Sequence, residues 1–89
     1  MTREEIAAVG AHMVNFGHLM AYNNFPDNRM KEVADNELNR SLPFPIVGIN
    51  DDNVLKYYYK CFVYGYFIEQ PKEWKEAHAD GFVKKWFNL

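Results

Sequence analysis

Three histidines, a lone cysteine, a lone serine, a pair of aspartates and a run of tyrosines are the residues whose chemistry is worth weighing in this chain. His12 and His18 stand six residues apart, which places them on different sides of a helix, and His78 is distant in sequence. Neither an HExxH pattern nor paired cysteines accompany them, so no metal site and no cofactor are expected. Cys61 lies inside the apolar run Val54–Ile68, where a thiol packs as a small inert group. Ser41 adjoins a proline-braced segment, with no base at a recognisable spacing. Neither residue reads as a nucleophile. Asp51-Asp52 would suit acid–base work, but a helix start explains both through capping and the helix dipole. The five glycines are isolated, so no loop is built to cradle phosphate. Tyr57, Tyr58 and Tyr59 point three ways on a helix and cannot form one stacking platform. No catalytic residue is assigned, and a non-enzymatic protein is expected.

The element that must carry most of these residues is VLKYYYKCFVYGYFI, Val54–Ile68, with five of the six tyrosines and only Lys56 and Lys60 charged. Its aromatic and β-branched content suits a strand, but strands usually run about 5–6 residues and this run holds no turn signal. A helix is predicted, opened by Asn50 or Asp51 and closed before Pro71. At about 100° per residue, Val54, Tyr58, Cys61, Gly65 and Ile68 share one face with Phe62 beside it, and that face is expected to be core. The opposite face begins polar at Asp52, Lys56 and Lys60 and ends apolar at Val63 and Phe67, before Gln70.

Other elements follow from spacing. Thr2 and Glu5 have capping-box spacing, and Ile6, Val9, Met13, Phe16 and Met20 form one stripe, so Thr2–Asn23 reads as a helix. A helical glycine costs about 1 kcal/mol relative to alanine. Gly10 and Gly17 beside the stripe therefore predict a close helix crossing, with Gly65 as the natural partner. Residues 23–28 read as a loop in which Pro26 suits the first position of a new helix, and Arg29–Asn39 reads as a weaker helix with Met30, Val33, Ala34 and Leu38 inward. In Ser41–Ile49, Pro43 and Pro45 hold the chain extended, and Leu42, Phe44, Ile46 and Ile49 are expected to lid the core. A last helix, Pro71–Phe87, shows Trp74, His78, Phe82 and Trp86 at every fourth position, and is expected to fold back so that Trp74 covers Phe67 and Val63. The fold expected is all-α: a single domain over residues 1–89, with four helices packed around the aromatic-rich one and an apolar, proline-containing loop.

Composition narrows the function classes. A net charge of −2 with scattered basic residues argues against a nucleic-acid partner. No stretch is apolar for the roughly 18 residues a membrane span needs, and the N-terminus lacks a basic-then-apolar leader, so a cytoplasmic protein is expected. Seven Phe, six Tyr and two Trp are hard to bury in 89 residues. The surplus is expected at a partner site formed by Lys56, Tyr59, Lys60, Val63, Phe67, Trp74 and Trp86, with Phe87 near it. Two occupants are considered: a larger protein, as for the adaptors and inhibitors common among phage and bacterial accessory proteins, or a second copy of the chain. A small-molecule site would need converging polar groups, and the glycine crossing is the one place to seek it.

Overall fold

The computed structural model describes residues 1–77, the side chains of Asp27, Trp74 and Ala77 excepted, and these residues are all-helical. Helix α1 spans Arg3–Tyr22, α2 Met30–Ser41, α3 Asp52–Ile68 and α4 Lys72–Ala77. The arrangement seen is therefore three longer helices and a six-residue fourth. The rest of the expected Pro71–Phe87 helix, with His78, Phe82, Trp86 and Phe87, lies outside the described residues.

Local chemistry explains each boundary. At the start of α1, Glu5 N–H donates to Thr2 Oγ1 at 3.1 Å and Thr2 N–H donates to Glu5 Oε1 at 3.0 Å, the expected capping box. The hydrogen bond from Thr2 N–H holds the Glu5 carboxyl below its ordinary range. The other end of α1 closes in a turn motif where the sequence predicts only a loop. Asn24 has φ 54°, the left-handed conformation that asparagine tolerates better than most residues. That turn lets Asn24 N–H donate to Ala21 O and Phe25 N–H donate to Met20 O, so two end carbonyls are satisfied.

Helix α2 starts one residue later than expected and runs two further, behind a 3-10 turn at Asp27–Arg29. The proline segment is not wholly extended. Pro45, at φ −62°, opens a 3-10 turn over Ile46–Gly48 by accepting from Gly48 N–H at 2.8 Å. Proline removes only its own donor, so its carbonyl can still start a turn. Asn39 Oδ1 accepts from Ile46 N–H at 2.8 Å and ties this segment back to α2. Leu42 is buried and Ile46 and Ile49 pack partly on the core, as a lid should, whereas the expected lid residue Phe44 lies beside Gly48 instead and Val47 is 91 % exposed.

Helices α1 and α3 run the same way, Gly10 beside Tyr57, Gly17 beside Phe62–Tyr66 and His18 beside Glu69. Their crossing is the one the glycines predict. A Cβ on Gly17 would collide with the Phe62 carbonyl and lie 2.7 Å from Tyr66 N, and one on Gly65 would collide with the Val14 carbonyl. Helix α2 returns antiparallel and is held through long side chains rather than backbone approach. Met30, Ala34 and Leu38 are fully buried, and they meet Met13, Tyr58 and Phe62, also fully buried, in one core.

Two polar contacts fix α2 on this pair. Tyr59 donates its hydroxyl to Asp35 Oδ1 at 2.5 Å, and His12 Nε2 lies 3.0 Å from Oε2 of the buried Glu37. Burial, then the Asp35 hydrogen bond and charge, raise the Tyr59 phenol above its ordinary value. A folded-state pKa above the unfolded one means stability that is complete below about pH 10 and is lost as pH rises beyond it. Tyr59→Phe is therefore expected to lower stability near neutral pH by about 1–2 kcal/mol. It should also reduce the loss of stability seen on going alkaline. Urea melts in steps from pH 7 to pH 11 check both effects, and an unchanged alkaline slope would count against this account.

Candidate functional site

The site residues expected from sequence divide when placed on α3. Lys56 and Lys60 are exposed. Phe67 is half-buried against the core, with Lys75 Nζ 5.9 Å from its ring centroid. Tyr59 and Val63 are 4 % and 2 % exposed and belong to the core, so they cannot dock a partner. Trp86 lies outside the described residues, as does the expected cover of Phe67 and Val63 by the Trp74 side chain.

The correction has a geometric cause. The buried face of α3 is Tyr58, Tyr59, Phe62, Val63, Gly65 and Tyr66. It is turned from the expected face by a little under the roughly 100° that one residue occupies. Cys61 is only half-buried and Ile68 is 37 % exposed. Gly65 marks where α1 comes closest, and that contact line is the edge of the core rather than its centre. The centre lies further round, where α2 adds its own face.

This rotation opens a different surface. Tyr57, Cys61, Tyr64 and Ile68 recur at spacings of four, three and four and share one stripe of α3. Tyr57 is 41 % exposed, Tyr64 59 % and Ile68 37 %. No charge interrupts the stripe over three turns. On the α1 side, Tyr57 lies over Gly10, where an added Cβ would be 2.7 Å from its ring. Around that glycine, at helical spacing, Ala7 and Ala11 are exposed and Val14 is half-buried. At the far end His18 Nδ1 lies 3.0 Å from Glu69 Oε1. That nitrogen is buried and makes no hydrogen bond among the described residues.

The Tyr57 phenol is raised above its ordinary value chiefly by the Cys61 side chain one turn on, with slight burial adding to it. Burial raises the Cys61 thiol, against the lowering effect of Tyr57. Such a thiol is mostly protonated near neutral pH, which fits packing rather than nucleophilic chemistry. Among the described residues no three of His, Cys, Asp and Glu converge as a metal site, and no helix is long and apolar enough to cross a membrane.

No protein family, curated protein or solved structure matches this chain. Function therefore has to be argued from the surface alone. Its signal was present in the sequence as the uncharged four-three-four spacing of Tyr57, Cys61, Tyr64 and Ile68 beside two lysines. Spacing alone does not single it out, because Cys61 and Ile68 also fit the expected core face with Val54, Tyr58 and Gly65.

Proposed function

We propose that this is a small non-enzymatic protein-binding module, an adaptor or inhibitor of a larger protein in the cytoplasm. It docks through the Tyr57–Cys61–Tyr64–Ile68 stripe of α3 and the small-residue flank of α1. The observation that carries this reading is the exposure of three large apolar residues in one uncharged stripe, with Tyr64 at 59 %. Tyrosines of limited freedom make good anchors, since little side-chain entropy is lost when they are covered. Lys56 and Lys60 keep their expected role at the edge of the face, and Phe67 can contribute at its margin. A four-helix arrangement around α3 belongs to the same proposal, its last helix drawn from the spacing of Trp74, His78, Phe82 and Trp86.

The competing occupant is a second copy. The stripe reads four-three-four from either end, so an antiparallel twofold would set Tyr57 against Ile68 and Cys61 against Tyr64. Tyr64→Asp separates docking from folding. Because its side chain is more than half exposed, the variant should keep the helical circular-dichroism signal and melt within a few degrees of wild type. Proteins held by immobilised wild type should be lost from the variant. Equal retention by both would sink the reading. Light scattering at low and high micromolar concentration gives the other decision: twice the chain mass at both would put self-association first.

A further inference from the structure

We infer that the partner of this face is an amphipathic helix whose apolar ridge is flanked by acidic residues; this rests on the protein-binding reading above. Lys60 stands three residues after Tyr57 and four before Tyr64, so it borders both anchors, and Lys56 precedes it by one turn. Both lysines are exposed, and neither has a carboxylate within ion-pair distance among the described residues. Elsewhere on the same residues, Lys31, Lys72 and Arg29 each pair with an acid on their own helical segment or the next turn. The apolar stripe is thus bordered along one edge by Lys60, with Lys56 a turn before it and neither in an ion pair among the described residues, while its other edge is α1.

The same charges argue against a second copy. In an antiparallel twofold pair each edge of a helix runs along the identical edge of its mate, as the flanking positions of antiparallel coiled coils do. The lysine edge would then meet itself, and like charges across an interface are unfavourable. A parallel pair would set the lysine edge against the α1 edge. There Ala7, Ala11 and Val14 offer no carboxylate level with the lysines, the exposed Glu4 stands nearer the start of α1, and Glu69 at the far end faces His18. A foreign helix with apolar residues at four-three-four spacing and Glu or Asp beside them satisfies stripe and edge together.

Two synthetic helical peptides of about five turns test this, each with Leu at four-three-four spacing and flanked either by Glu or by Lys. Their binding to the intact protein is read by fluorescence anisotropy. The Glu-flanked peptide is expected to bind about tenfold more tightly at low salt, with an advantage that shrinks as salt is raised. Lys56→Glu with Lys60→Glu should reverse the order, and Tyr64→Asp should abolish binding of both peptides. Equal binding of the two peptides, lost with Tyr64→Asp, would overturn the acidic partner and leave the protein-binding reading intact. No binding with a dimeric mass would overturn it in favour of a second copy. No binding by a monomer would remove both the inference and the reading beneath it.

Discussion

Gly17→Ala and Gly65→Ala are each expected to lower the unfolding free energy by about 2–3 kcal/mol. That corresponds to a fall in melting temperature of roughly 10–20 °C for a chain of this size. The reason is which atoms lie in the way. A methyl group on Gly65 meets the Val14 backbone, with its Cα 3.0 Å off, and one on Gly17 meets backbone atoms from Phe62 to Tyr66. Backbone inside a helix cannot step aside alone, so α1 and α3 must separate and core contacts loosen along the whole crossing. Alanine gains about 1 kcal/mol of helix propensity over glycine, which offsets only part of this. Gly10 is the control. Its added Cβ would meet the ring end of Tyr57, a partly exposed side chain that can swing away. Gly10→Ala should therefore stay within about 1 kcal/mol of wild type, with the propensity gain in its favour. Thermal melts of the three variants check the ordering. If all three lose the same stability, the crossing is not as close as described.

Val63→Asp is expected not to fold, whereas Tyr64→Asp, one residue further on, folds normally. Val63 is 2 % exposed beside Tyr59, Phe62 and Tyr66, and a carboxylate there would be stripped of water with no partner provided. Such burial costs several kcal/mol, against a total stability of about 5–10 kcal/mol for a domain of this kind. Tyr64 points the other way at 59 % exposure. A shift of one position on a helix is about 100°, enough to pass from the core to open surface. Circular dichroism of the two variants distinguishes the placements directly. A folded Val63→Asp that has lost only partner binding would restore the docking face expected from sequence.

Much of the helical framework was legible in the chain itself. Thr2 and Glu5 marked the start of α1, Asp51 capped α3 through its bond to Asn53 N–H, and Pro71 stood beyond its end. These signals are local: each needs only residues within a turn, so spacing alone reveals them. The glycine crossing was also readable, because an unfavourable residue repeated along one stripe needs a packing reason. What spacing could not determine was the direction α3 faces. That depends on two neighbours at once, α1 against Gly65 and α2 against Tyr59, and α2 arrives only after the chain has turned at Asn24 and come back. Tertiary packing alone therefore buried Tyr59 and Val63, left Tyr57, Tyr64 and Ile68 in solvent, and moved the candidate docking face by almost one residue's turn. Sequence determined the three longer helices and where two of them touch. The packing of α2 decided which aromatic residues of α3 stayed exposed.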